Sequence, residues 1–298
     1  MRILVFGAGV IGSLYSARLS SIGIDVALLA RGRRLEIIKN KGLLYYEKNT
    51  VQKASIKIID KLENNDIYDY IFLAVRYEQI ESALMDMKDN SSKNIITLSN
   101  AIGYDRWIKI VGNKLIPGFP GAGGDIKEDI LYGKFGSNKI QGTIFGEING
   151  ETTERIKEIS KIFEIAKIPF EVSNRIQSFH ISHATVSMAN KHFYTENGMV
   201  DLRTAKSIKI LKDVALDIKD NLKSVEKMGI SIIPANMVMI KKSPKLLLIL
   251  MFHVMLSIKY TRDVLLGNHS LNAKNEVSLL NEDFNSLCIK NGVRPYVA

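Results

Sequence analysis

Short apolar runs bounded by turn-forming residues recur through the first half of the chain, at residues 3–6, 26–30, 56–59, 70–75, 95–98 and 115–119. Each has the length of a strand, and helix-like spacing of apolar positions falls between several of them, as at residues 78–87. Alternation of this kind predicts a mostly parallel, doubly wound α/β sheet, because parallel strands need crossover connections that helices supply. After Gly150 the texture changes. Residues 153–166 set Ile156, Ile159, Ile162, Phe163 and Ile165 or Ala166 at helical spacing, Pro169 closes a short connection, and beyond Ser173 long helical patterns follow with no strand series. The expected organisation is a doubly wound domain over residues 1–170 and an all-helical domain over residues 171–298. The cleft between two such domains is the default place for chemistry.

The first apolar run leads into Gly7-Ala8-Gly9-Val10-Ile11-Gly12, with a helix-compatible stretch at residues 10–22 and the second run at 26–30 behind it. In that context the glycines form the fingerprint of a Rossmann dinucleotide-binding domain. Gly7 reads as the turn residue and Gly9 as room for a pyrophosphate. The N–H groups of Val10 and Ile11 would approach that pyrophosphate at the positive end of the helix dipole. Gly12 lets the helix pack close to the sheet. The plain alternative is an ordinary βα turn that carries three glycines.

An NAD-preferring site places Asp or Glu about 20 residues further on, at the end of the second strand. Here that strand ends Leu29-Ala30-Arg31-Gly32-Arg33-Arg34, and Asp25 stands at its other end. NADP(H) is therefore the expected cofactor, with Arg31 and Arg34 making charge-assisted hydrogen bonds to a 2′-phosphate. A solvated basic loop is the alternative reading.

Composition narrows the classes. At 298 residues with 46% hydrophobic content, the chain is globular and comfortable as two domains. The formal charge of +10 invites a nucleic acid or an acidic membrane, but the lysines are scattered and no aromatic-interleaved basic stripe occurs. Neither is expected as a partner. One cysteine, Cys288, excludes an internal disulfide and fits a reducing, cytoplasmic compartment. A strand that starts at Arg2 leaves no room for a signal peptide. The longest apolar run, residues 246–258, contains His253 and is short of the ~20 residues a membrane span needs. It reads as a buried helix.

The opening through Arg31-Gly32-Arg33-Arg34-Leu35-Glu36 to Gly42-Leu43, together with the domain order, resembles the ketopantoate reductase family, of which this chain would be a divergent member. That resemblance implies a Rossmann domain, a helical C-terminal domain, and NADPH-dependent reduction of a small 2-oxo acid, ketopantoate first, in pantothenate biosynthesis. It also allows a homodimer. Val75 followed by Arg76 resembles the strand end where the family has a lysine near the cofactor; arginine keeps the charge and alters its geometry. Ser99-Asn100-Ala101-Ile102-Gly103 resembles the strand end that faces nicotinamide and substrate, and implies a substrate-side role for Asn100, whose other reading is a cap for the next helix. The segment from Pro117 through Gly121 to Gly124 is glycine-dense and reads as a loop that brings amides to a ligand.

In the second half the family pairs a proton-donating lysine with a downstream glutamate. Aligned on Ser178-Phe179-His180-Ile181-Ser182-His183, His183 stands where the lysine is expected and Ser187 where an asparagine follows. Histidine is able to donate a proton when its pKa lies near neutrality. His183, Ser187, Asn190 and Lys191 form one polar stripe at helical spacing, which either lines the cleft or faces solvent; Lys191 is the reserve acid. The same resemblance, counted back from Gly292, assigns the glutamate to Glu276, which otherwise reads as a helix-start acid; Ser270 and Asn272 are minor candidates. His180 and His183 with His192 suggest a metal, but Glu196 and Asp201 fall in an expected loop, and no metal site is expected. Two alternatives remain: a dehydrogenase of the same fold acting on another hydroxy acid or imine, and a non-catalytic NADP(H)-binding sensor.

Overall fold

The computed structural model describes residues 1–137, 141–195, 198–199, 207–258 and 273–296. Its contacts divide the chain into two units, one of Met1–Ser99 with Tyr104–Ile176 and one of Asn100–Gly103 with Gln177–Ala298.

The first unit opens β1 (Arg2–Phe6), α1 (Val10–Ser20), β2 (Asp25–Leu29), α2 (Gly32–Lys41), β3 (Leu44–Glu47), β4 (Thr50–Lys53), β5 (Lys57–Ile59), β6 (Tyr70–Leu73) and α3 (Ile80–Met87). It continues with β7 (Ile95–Thr97), α4 (Asp105–Val111), β8 (Leu115–Ile116), β9 (Gly118–Phe119), β10 (Ala122–Lys127), β11 (Ile130–Phe135), β12 (Thr143–Phe145), α5 (Glu154–Ile165) and β13 (Phe170–Val172). Six strands in the order β5-β2-β1-β6-β7-β8, all paired in parallel, make the doubly wound sheet. Chain order reverses between β1 and β6, the switch point where such sheets bind ligands beyond their carboxyl ends. Ile3, Leu4 and Val5 are fully buried, as a parallel strand covered on both faces requires.

Two hairpins depart from the sequence reading. β3–β4 and β10–β11 join in a four-stranded sheet of order β10-β11-β3-β4. α1 packs against β10 and β11 as well as β1 and β2. That double contact explains its small buried residues, Ser13, Ser16 and Ala17. Tyr15 Oη and Thr143 Oγ1 lie 2.5 Å apart in a buried hydrogen bond that ties α1 to β12. The expected strand at 115–119 is two strands. Pro117 has no N–H to carry the ladder, so β8 ends the large sheet and β9 pairs with β12 in a three-stranded one. The glycine-dense segment after it also meets protein: a Cβ on Gly121 would stand 2.1 Å from the Gly142 carbonyl carbon, so this glycine serves close backbone packing.

The second unit holds α6 (Ile176–Ala189), a 3-10 turn (Asn190–Phe193), β14 (Tyr194–Thr195) and β15 (Gly198–Met199), followed by α7 (Ile208–Lys227), α8 (Ala235–Lys242), α9 (Lys245–Ser257) and α10 (Lys274–Lys290). The short antiparallel pair β14 and β15 interrupts what the sequence reads as helix alone. α7 starts at Ser207, whose hydroxyl accepts from the Ile210 N–H. It buries Leu211, Val214, Ile218, Leu222 and Val225 at helical spacing. Around it gather Ala189, Phe193, Met237 and Leu256. Contrary to the sequence reading, α9 is not a buried helix: Leu248 and Leu256 are buried, whereas several of its other leucines are exposed. Among the described residues no helix is long and apolar enough to cross a membrane.

Candidate functional site

In the first unit the glycine fingerprint occupies the turn from β1 to α1. Gly7 has φ +112°, and a Cβ there would meet the Ala74 carbonyl oxygen at 2.5 Å, with Val75 Cγ1 at 3.0 Å. At Gly12 a Cβ would stand 1.8 Å from the Gly7 carbonyl oxygen. Both glycines are required by the protein's own packing. Gly9 is different, since no heavy atom lies within 4 Å of where its Cβ would be. It caps α1 with no side-chain hydrogen bond, and no acid stands in the first turn. The amides that begin at Val10 and Ile11 thus form a positive helix end with open space in front of it.

Two arginines flank that turn. Arg34 Nε donates to the Ala8 carbonyl oxygen at 3.2 Å, and among the described residues its buried Nη2 has no hydrogen-bond partner. Burial pushes the Arg34 pKa down while Asp129 opposes the shift. The strain of that desolvated cation would be relieved by an anion. Arg31, the cap of α2, points its guanidinium over the Phe6 ring at 5.3 Å and pairs with Asp86 at 2.7 Å. That pair is exposed, worth about 0–1 kcal/mol, and is exchangeable for a phosphate at small cost. Asp25, at the far end of β2, pairs with Arg2 at 3.3 Å. The Arg76 N–H, after β6, donates to Gln79 Oε1 at 3.3 Å and starts the next turn. The open position at Gly9, the uncapped amides and the partnerless Arg34 nitrogen fit a phosphorylated dinucleotide.

In the second unit, side chains far apart in sequence converge. Asn100 Nδ2 donates to Glu276 Oε1 at 2.8 Å, and Ser187 Oγ donates to Asn100 Oδ1 at 3.1 Å. The serine holds the amide's oxygen, so its nitrogen is turned to the carboxylate. Glu276 sits in the first turn of α10, where the helix dipole favours an anion. Asn100 does not cap the following helix, because α4 begins after Tyr104.

The polar stripe on α6 divides. His183 is partly buried one turn before Ser187, its ring 5.6 Å from that of Phe179. Burial lowers its pKa from 6.5 to about 4, so it is neutral at pH 7 and no imidazolium acid stands there. Lys191 lies past the end of α6 in the 3-10 turn, with Nζ 3.3 Å from Asp217 Oδ2. Asp217 is buried and also meets His192 Nε2 at 3.4 Å and Asn221 Nδ2 at 3.0 Å. No motif or family likeness singles out Asp217; a carboxylate on the apolar face of α7 with Asn221 one turn on is the signal the sequence holds for it. Ser270, Asn272, Glu196 and Asp201 lie outside the described residues. Among the described residues no three His, Cys, Asp or Glu side chains are grouped as a metal would need.

The shifted histidine sets a pH dependence. Above pH 6.5 folded and unfolded states both leave His183 neutral. As the pH falls from 6.5 toward 4 the unfolded chain takes up a proton that the folded one refuses, which costs up to about 3 kcal/mol. Urea unfolding at about pH 7.5 and about pH 4.5 is expected to show His183→Asn losing less stability on acidification than the parent. Equal losses would remove the histidine from that account.

Comparison with known proteins gives the same outline. Residues 3–132 match the model of the family described as ketopantoate reductase PanE/ApbA. A 2-dehydropantoate 2-reductase of Pyrococcus horikoshii is 29% identical over 190 residues, 63% of this chain and 62% of that protein. One of Archaeoglobus fulgidus is 25% identical over 190 residues, 63% and 61% of the respective chains. The match thus spans about three fifths of the length of these curated relatives. Among solved structures, a PanE/ApbA family ketopantoate reductase of Ralstonia eutropha superposes with a TM-score of 0.66 at 14% identity, over 98% of this chain and 91% of that one. D-mandelate dehydrogenase, in a ternary structure with NADH and anilino(oxo)acetate, gives 0.64 at 18% identity, over 99% and 100%. At such identities the likeness establishes the fold.

Proposed function

We propose that this chain, in which residues 3–132 form a ketopantoate reductase PanE/ApbA family domain, is an NADPH-dependent reductase of a small 2-oxo acid, with ketopantoate as first substrate. The observation that carries the reading is the Asn100–Glu276 hydrogen bond, which joins two residues 176 positions apart that the family resemblance singles out independently. An amide and a carboxylate side by side offer a donor and an acceptor to a substrate that carries both a carbonyl and a hydroxyl group. Asn100 and Glu276 orient that substrate, and Ser187 fixes the amide's direction.

The hydride would come from the nicotinamide of the bound cofactor. Gly9, Val10 and Ile11 would hold the pyrophosphate at the turn that Gly7 and Gly12 shape, Val75 and Arg76 border the same strand ends, and Arg31 and Arg34 would take the 2′-phosphate. His183, neutral at pH 7, acts as a hydrogen-bond donor that polarises the carbonyl, as uncharged histidines do elsewhere. Lys191, whose ammonium Asp217 holds, is the proton source. The domains proposed are a nucleotide-binding one over residues 1–170 and a substrate one over residues 171–298, with Asn100 contributed to the second from the first half of the chain.

Two assays test the reading. NADPH oxidation across a panel of 2-oxo acids is expected with ketopantoate at the head; absence of turnover by protein shown to bind NADPH would overturn it. Arg34→Ala is expected to weaken NADPH binding about tenfold and leave NADH binding within about twofold, since one charge-assisted contact is worth about 1.5 kcal/mol or more. Equal losses for both cofactors would take the 2′-phosphate away from Arg34.

A further inference from the structure

Within the first unit a groove of about 490 Å³ lies between α1 and the face of the four-stranded sheet on which α1 packs. That volume is within the range of roughly 300–1,000 Å³ usual for small-molecule sites. Its floor is apolar, made by the buried Leu14 and Ala17 of α1 and Leu131 of β11. Tyr45 and Phe135, both half-buried, form its walls. One end is fixed by Arg18, which pairs with Glu47 at 3.0 Å and lies over the Phe135 ring at 5.6 Å. The exposed rim carries Lys48, Lys134 and Lys167. Among the described residues, Glu47 is thus the one carboxylate lining the groove against four cations, and Arg18 already engages it.

Backbone strain concentrates at the same place. Five described non-glycine residues have positive φ, and three of them line this groove: Lys48 at 50°, Asn49 at 63° and Lys167 at 53°. Left-handed backbone favours glycine, and side chains kept there at a cost gather at ligand sites. Lys167 shows this most clearly. It follows the end of α5, where its N–H donates to the Glu164 carbonyl and that of Ile168 donates to the Phe163 carbonyl, a motif that glycine usually completes. Among the described residues neither Lys48 nor Lys167 has an ion pair.

We propose that this groove is a second ligand site, for a phosphate monoester carried on a planar ring, as in a mononucleotide. The ring lies on the apolar floor between Tyr45 and Phe135, and the phosphate meets the lysines of the rim. A monoester brings a charge of about −1.5 to −2, which answers that rim better than a single carboxylate does. The site is apart from the glycine turn, because Arg18 stands about 12 Å along α1 from Val10.

Isothermal titration calorimetry of the full chain with phenyl phosphate tests this without turnover, and so independently of the reductase reading. Saturable binding at one site is expected, about tenfold tighter than that of inorganic phosphate and changed less than about twofold by Gly9→Ala. Lys48→Gln with Lys167→Gln, both at exposed sites, is expected to weaken it about tenfold or more with unchanged circular dichroism. Lys167→Gly removes the ammonium and relieves the backbone, so binding should fall about fivefold while the melting temperature rises by about 2 °C or more. Absence of saturable binding, equal affinity for inorganic phosphate, or parent-like affinity in the double variant would each overturn the proposal. So would a marked loss in Gly9→Ala, which would place the probe at the glycine turn, or a Lys167→Gly protein that melts lower and binds normally.

Discussion

Gly9→Ala is expected to fold as well as the parent and to lose NADPH, while Gly12→Ala is expected to fold poorly. The pair separates two kinds of glycine in one motif. The Gly9 backbone, at φ −72° and ψ −169°, lies in a region open to any residue, and a methyl group there would meet no protein atom within 4 Å. Stability should therefore change by less than about 0.5 kcal/mol. The same methyl would stand in the space proposed for the pyrophosphate, and a clash worth about 1–3 kcal/mol weakens binding on the order of a hundredfold. At Gly12 the added carbon would lie 1.8 Å from a carbonyl oxygen in the turn, and α1 is also packed against β10 and β11, so it has nowhere to retreat. A loss of about 3 kcal/mol or more is expected from urea titration. A Gly9→Ala protein that binds NADPH normally would mean that no phosphate lies at that turn.

The second large effect concerns Glu276. Glu276→Gln keeps the side chain's shape and removes its charge, and it is expected to lower kcat/KM for the 2-oxo acid by about a hundredfold or more while NADPH binding is unchanged. A misplaced substrate alone costs about that much. Asn100→Ala should do the same, and the two losses should not add, because the residues are joined by a 2.8 Å hydrogen bond and are proposed to orient one molecule. Ser187→Ala removes only the bond that aligns the amide and is expected to cost about fivefold to tenfold. Steady-state kinetics on the three variants and the double variant checks this. Fully additive losses would place Asn100 and Glu276 in separate roles.

The parts of this molecule that are legible in its sequence are those specified locally. β1, α1 and β2 follow from continuous apolar runs around a glycine motif. The β3–β4 and β10–β11 hairpins stay hidden because their two-residue turns, Lys48-Asn49 and Glu128-Asp129, take positive φ without a glycine to announce it. Their strands are short and half exposed, so alternation is faint. Pro117 breaks a run that hydrophobicity alone would keep whole. α9 misleads for a different reason: a sequence shows that a helix is apolar on both sides but not what covers the second one. At the site, Asn100 and Glu276 are legible through family likeness, whereas their hydrogen bond is a product of the tertiary fold. The histidine at position 183 shows the limit most directly. Sequence offers an imidazole of ordinary pKa as a proton donor, and burial, which sequence does not display, holds it neutral.

The proposed reaction is hydride transfer from NADPH to the carbonyl carbon of a 2-oxo acid held by Asn100 and Glu276. It is tested most directly with NADPH deuterated at its transferable hydrogen, ketopantoate as substrate, and mass spectrometry of the product. One deuterium is expected on the new carbinol carbon of pantoate with the parent, and the same label at a far slower rate with Glu276→Gln. Bound NADPH that stays unconsumed, or a product without the label, would contradict it.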